Sequence, residues 1–134
     1  MAISAADVMK LRKATGAGMM DCKNALTDAN GDFDGAVQII REKGKLVASK
    51  RSDREASEGV ALAKVSEDNK FGAIVVLNCE TDFVAKNEDF VNKTAGFAEV
   101  AITGKPADLD GLKALAIDGR TIADHVTEQT GVIG

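Results

Sequence analysis

The fold is decided by residues 71–86, FGAIVVLNCETDFVAK. Residues 71–77 form an apolar run rich in β-branched side chains, which predicts a strand buried on both faces. Residues 87–102 have helical spacing, so the segment between them is the exit from a strand into a helix. This exit places an acidic residue, Asp82, directly beside a large aromatic one, Phe83. Such a pair at a domain rim has the shape of an insertion element and carries no catalytic chemistry of its own.

The segments around this stretch predict a small α/β unit. Residues 60–65 form a second strand, and the polar turn at residues 67–70 makes the two strands an antiparallel hairpin. Three helices are expected: one that begins at Asn87, one at residues 108–115, and one that begins at Thr121 and stops at Gly131. The start of a further strand is expected at residues 132–134. Because a lone hairpin is rarely stable, we expect the chain to be the front part of a longer protein.

The first fifty residues predict three short helices. Ser4 and Asp32 are good N-caps, the pair Asn30-Gly31 ends the second helix, and the third helix is expected to end near Gly44. The apolar face predicted for the second helix consists of Met19, Cys22, Ala25, Leu26 and Ala29. Met20 lies off this face, either as a scattered surface residue or as a flexible contact point for a partner. The predicted fold class is therefore α+β, with domains at residues 1–54 and 55–134.

Composition limits the classes of function. The chain has 134 residues, 45% of them hydrophobic and 28% charged, and a formal net charge of −4, which argues against a general nucleic-acid binder. The basic residues between 41 and 54 are diluted by acidic ones and are interpreted as a solvated linker. No apolar run is long enough to span a bilayer. Two cysteines without CxxC spacing favour reduced thiols in the cytoplasm.

Catalytic motifs are absent from the sequence. His125 is the only histidine and is expected on an exposed shoulder of its helix, so no zinc site is recognisable. Cys79 ends a buried strand and is interpreted as a small core residue rather than a nucleophile. The glycines at residues 16 and 18 lack the preceding strand and the lysine of a phosphate loop. We therefore expect no enzyme activity, no metal, no cofactor and no small-molecule substrate.

Two segments carry a family resemblance. Residues 11–26, LRKATGAGMMDCKNAL, and residues 77–86, LNCETDFVAK, resemble the two signatures of bacterial elongation factor Ts, in the family's order and at its spacing. The resemblance implies a three-helix ubiquitin-associated-like domain, a linker and the first half of an α/β core. It also implies a guanine-nucleotide exchange factor of translation elongation, which binds the GTPase elongation factor Tu and promotes GDP release by displacing Mg²⁺ and loosening the phosphate site.

The resemblance also implies site residues. The family's Mg²⁺-displacing element matches Thr81, Asp82, Phe83 and Val84. The family's contacts with the GTPase domain match Arg12, Met19, Met20, Lys23, Ile133 and Gly134. The family often has Lys before the last pair, where this chain has Val132, so a charged contact at that position is not expected.

Two other functions stay open on the sequence. The amino-terminal helices would also suit a ubiquitin-associated adaptor without exchange activity, although the turn at residues 15–19 lacks the Met-Gly-aromatic sequence of ubiquitin binders. The third hypothesis is an enzyme that uses Cys79. Phe83 has a structural alternative as well, because Phe83, Phe90 and Phe97 are spaced by seven residues, as in a buried helical seam.

Overall fold

The computed structural model describes residues 2–134 and confirms the α+β class. Three helices come first, followed by an antiparallel hairpin with packed helices. The elements in chain order are α1 (Ala5–Thr15), α2 (Met19–Asp28), α3 (Phe33–Lys50), β1 (Glu58–Val65), β2 (Gly72–Cys79), α4 (Asp82–Ala85), α5 (Glu88–Gly104), α6 (Leu109–Ala114), β3 (Ala116–Ile117), β4 (Arg120–Thr121) and α7 (Ile122–Ile133). The contacts divide the chain into two compact units, one up to Ser52 together with His125–Gly134 and one of Asp53–Asp124. The predicted domains had instead placed residues 125–134 with the hairpin.

The first unit is built on helix caps and a small core. The Ser4 hydroxyl accepts from the Asp7 amide while the Asp7 carboxylate accepts from the Ser4 amide; this capping box confirms Ser4 as the N-cap. The Asp32 carboxylate likewise accepts from the Gly35 amide at 3.2 Å and caps α3. The core that joins the three helices is small and aliphatic, and it consists of Val8, Leu11, Ala17, Cys22, Ala25, Leu26 and Ala36.

Two predictions about helix ends were wrong in this unit. Helix α3 does not end near Gly44 but continues to Lys50, and Gly44 is buried inside it. Helix α7 does not stop at Gly131 but runs to Ile133, so residues 132–134 do not begin a strand. Both errors have one cause, because the two glycines face each other where α3 and α7 cross. They allow close backbone approach instead of ending their helices.

The crossing of α3 and α7 leaves no room for a side chain on Gly131. A Cβ atom at Gly131 would overlap the Cα atom of Gly44, whereas one at Gly44 would meet nothing closer than 3.7 Å. We expect Gly131→Ala to lower the free energy of unfolding of this unit by about 1–3 kcal/mol through overpacking. Gly44→Ala, the matched control, should be neutral or stabilising. Urea denaturation followed by circular dichroism measures both, and equal stabilities for the two variants would contradict the crossing.

The second unit contains the hairpin, and its register is regular. Glu58 pairs with Cys79 at the open end and Val65 with Gly72 at the turn. The prediction that β2 is buried on both faces was wrong, because Val75 is buried while Ile74 is 75% exposed and Val76 is also exposed. Helix α5 covers only one face of the two-stranded sheet. Because successive side chains of a strand point to opposite faces, alternate side chains of β2 point away from the core.

Helix α5 supplies most of the core of the second unit. The Asn87 side chain accepts hydrogen bonds from the Asp89 and Phe90 amides, which confirms the predicted N-cap. The side chains that α5 buries are Phe90, Thr94, Phe97, Ala98 and Ala101. The short hairpin of β3 and β4 was not predicted, although Asp118-Gly119, both at positive φ, is a recognised signal for a tight turn.

Candidate partner-binding site

The segment after β2 forms a single capped helical turn. The Thr81 hydroxyl accepts from the Val84 amide at 3.3 Å, and the Thr81 carbonyl accepts from the Ala85 amide at 3.3 Å. The Lys86 amide then donates to the Asp82 carbonyl at 3.0 Å, which closes α4. A helix of four residues is not stable in isolation, so this turn depends on its cap and on the strand that precedes it. We call residues Thr81–Val84 the tip.

Phe83 is the most exposed large apolar residue of the described chain, with 82% of its surface accessible. Thr81 and Asp82 are exposed beside it, whereas Val84 is half-buried and anchors the turn. Phe83 lies within α4 and therefore has helical geometry. The chain nevertheless leaves the helical path at residues 86 and 87 before α5 begins, so the seven-residue spacing from Phe90 and Phe97 does not carry Phe83 into the core.

The base of the tip is a buried thiol. Cys79 ends β2, and its Sγ–H donates to the Thr81 carbonyl at 3.1 Å. Burial is the main cause that raises the pKa of this thiol above its ordinary value, so the protonated donor form is favoured at neutral pH. The interpretation of Cys79 as a small core residue is confirmed, and the raised pKa makes it a poor nucleophile.

The first unit carries the other group of candidate contacts on the turn between α1 and α2. Gly16 ends α1 in a left-handed conformation with φ 73°, and its amide donates to the Arg12 carbonyl at 2.7 Å. Ala17 is buried, and its amide donates to the Thr15 hydroxyl at 3.3 Å. These two hydrogen bonds fix the turn, and the turn in turn sets where α2 begins.

The residues around this turn are exposed to solvent. Met20 is 63% exposed, as the helical wheel predicted. Met19 is exposed as well, so its assignment to the core face was wrong. Met19 is the first residue of α2, where no preceding helical turn helps to cover its side chain, so periodicity overestimates its burial. Arg12 and Lys23 are also exposed. We call Arg12, Met19, Met20 and Lys23 the methionine patch.

The end of α7 lies beside the same turn. A Cβ atom at Gly16 would be 3.7 Å from Cγ1 of Val132, so the two segments are in contact distance. The ion pair from Arg41 to Glu128, at 2.8 Å, also fastens α7 to α3. Ile133 and Gly134 follow Val132 and are exposed. The fold therefore brings the neighbourhood of the methionine patch and the carboxyl-terminal pair together, although they are far apart in the sequence.

The remaining candidates for chemistry offer little. In residues 2–134, no three side chains of His, Cys, Asp or Glu are grouped so that they could hold a metal ion. His125 is buried at 6% exposure rather than standing on an exposed shoulder. None of the helices in the same described range is long and apolar enough to cross a membrane. The candidate residues that remain are the two exposed groups, the tip and the methionine patch.

Comparison with known proteins gives one family. A family model described as Elongation factor TS matches residues 80–134, which include the tip. The chain is 59% identical over all 134 residues to elongation factor Ts from Bacteroides fragilis, and it spans 40% of that protein. It is 58% identical over 132 residues to elongation factor Ts from Christiangramia forsetii and 55% identical over 135 positions to that of Porphyromonas gingivalis. It spans 47% and 48% of those two proteins, so it corresponds to less than half of its relatives.

Proposed function

We propose that the chain is part of a protein of the elongation factor Ts family, and that it binds elongation factor Tu and promotes the release of GDP. The observation that carries the proposal is the exposure of Phe83 on a capped turn. An aromatic side chain left 82% exposed costs hydrophobic free energy in the free protein, and that cost is recovered when a partner covers the ring. The proposal places the chain in the cytoplasm, where translation occurs.

The mechanism requires no acid, base or nucleophile. GTPases hold their nucleotide through Mg²⁺, which bridges phosphate oxygens and demands near-octahedral geometry, and through a backbone loop around the phosphates. A ring that enters between elements of the GTPase shifts them, and a small shift is enough to spoil the Mg²⁺ geometry. Phe83 supplies the ring in this scheme, while Asp82 orients the tip or repels phosphate charge. By linkage, the bound nucleotide must weaken the binding of the chain by the same factor.

The methionine patch is proposed as the second contact, with Ile133 and Gly134 beside it. Methionine side chains are flexible and polarizable, so they adapt to a partner surface, and Arg12 and Lys23 add positive charge at the rim. This contact contributes affinity rather than the distortion that releases the nucleotide. The two roles can therefore be separated by substitution.

Met20→Ala should weaken binding to elongation factor Tu about fivefold or more without lowering the melting temperature, because a 63% exposed side chain adds little to the core. Isothermal titration calorimetry measures the affinity. Leu26→Ala is the control in the same helix: Leu26 is 1% exposed, and its loss should cost about 2–5 kcal/mol of stability. A Met20→Ala protein that melts as early as Leu26→Ala would contradict the assignment of Met20 to the surface.

The direct test of the function is release of a fluorescent GDP analogue from elongation factor Tu, with and without this chain. The proposal predicts faster release that increases with chain concentration and saturates. Binding without faster release, or binding to ubiquitin in a parallel pull-down, would favour the adaptor instead. No binding to either protein would contradict both functions.

A further inference from the structure

An ion pair that the proposed mechanism does not use lies beside the start of the tip. Arg54 Nε lies 2.6 Å from Oε1 of Glu80. Glu80 stands between the end of β2 and Thr81, the N-cap of the tip. Because the hairpin register places Glu58 opposite Cys79, the chain entering β1 and the chain leaving β2 run side by side. The ion pair therefore ties these two segments together at the root of the tip.

We propose that Arg54 is a positioning residue for Phe83, which acts through its ion pair with Glu80. The inference rests on the proposed exchange function. Glu80 directly precedes Thr81, whose backbone is extended with φ −130° and ψ 154°, so a change in the position of Glu80 is passed to the start of α4. The helix itself is four residues long and cannot hold a direction by its own hydrogen bonds. Fixing Glu80 is thus a means of fixing the direction of the Phe83 ring.

The alternative is an ordinary surface ion pair with no role. The side chains of Arg54 and Glu80 are 55% and 32% exposed, so the pair adds little to the free energy of unfolding. This small contribution makes the two interpretations separable. Loss of a positioning residue should make the tip more mobile and lower the saturating rate of GDP release, whereas loss of a neutral ion pair should change neither.

The experiment compares Arg54→Ala with a matched ion-pair variant in the same unit. Lys64 in β1 pairs with Glu99 in α5, away from residues 79–86 in the sequence, so Lys64→Met removes an ion pair without touching the tip. Hydrogen exchange is measured over residues 81–86 in the complete chain. GDP release from elongation factor Tu is measured over a range of chain concentrations, so that the saturating rate and the half-saturating concentration are obtained separately.

For Arg54→Ala we expect faster exchange at residues 81–86 and a saturating release rate lower by about three- to tenfold. The melting temperature and the half-saturating concentration should change little. Arg54→Lys should restore part of the rate, and the exchanged pair Arg54→Glu with Glu80→Arg should restore more of it than either single variant. Lys64→Met should behave as the wild type in the release assay and at residues 81–86.

The possible failures are distinguishable. Suppose that Phe83→Ala slows GDP release while Arg54→Ala changes neither the release rate nor hydrogen exchange at residues 81–86. The proposed nucleotide-exchange function then stands, and the positioning role is wrong. Equal rate losses in Arg54→Ala and Lys64→Met would also overturn it, since the effect would then be general to the unit. If the wild-type chain gives no stimulated release, the proposed function fails, and the positioning role fails with it.

Discussion

Phe83→Ala should slow stimulated GDP release by about tenfold or more while leaving the stability of the chain unchanged. Phe83 is 82% exposed, so truncating its ring removes little buried surface from the folded chain. The proposal makes the same ring the aromatic anchor of the tip in the complex, and loss of such a central anchor costs about 2 kcal/mol or more of interaction free energy. The expected variant is thus a folded protein that is defective in exchange.

Asp82→Ala is the companion variant for this prediction. The proposal gives the Asp82 charge a supporting role at the tip, and the side chain is exposed at the surface, with only a 3.5 Å approach to Lys86. We therefore expect a milder loss of release than with Phe83→Ala and no change in stability. Circular dichroism melting curves establish folding before each rate is compared. A Phe83→Ala protein that melts well below the wild type would place the ring in the core and remove the basis of the mechanism.

Phe90→Ala should do the reverse and lower the free energy of unfolding of the second unit by about 3–5 kcal/mol. Phe90 is 5% exposed and packs on the inner side of α5, so removing its ring leaves a cavity in the core. For a small unit this loss is a large part of the total stability. The chain contains no Trp or Tyr, so unfolding is followed by circular dichroism in urea rather than by intrinsic fluorescence.

The two phenylalanines form a matched pair of identical substitutions. Hydrogen exchange assigns the stability loss to residues 53–124 if the amides of α5 lose protection in Phe90→Ala and keep it in Phe83→Ala. Similar protection in the two variants would show that the seven-residue spacing, and not the exposure, describes the role of Phe83. Loss of stimulated GDP release in Phe83→Ala only in proportion to its unfolding would likewise place Phe83 in the core.

Local signals predicted much of this fold. The caps at Ser4, Asp32 and Asn87 and the left-handed stop at Asn30-Gly31 appear where expected, because each depends on the conformation of a few neighbouring residues. The hairpin and the apolar face of α5 also follow from short-range periodicity. The exposed position of Met20 followed from the helical wheel alone.

Features that depend on residues distant in the sequence could not be predicted in this way. Gly44 and Gly131 each resemble a helix stop, and only their mutual contact explains why both helices continue. The open face of β2 depends on how many layers cover the sheet, which the strand's own composition does not encode. The burial of His125 depends on where α7 packs. The pair of Arg54 and Glu80, residues 26 apart, had no signal in the sequence.

The most direct test of the central claim is the Mg²⁺ dependence of the contribution of Phe83. Release of a fluorescent GDP analogue from elongation factor Tu is measured by stopped flow at saturating wild-type chain and at saturating Phe83→Ala, first with Mg²⁺ and then with excess chelator. If the ring acts by disturbing the Mg²⁺ site, the wild type should be about tenfold faster or more with Mg²⁺, and the ratio should approach one when the metal is removed. A ratio that is the same in both conditions would contradict the account.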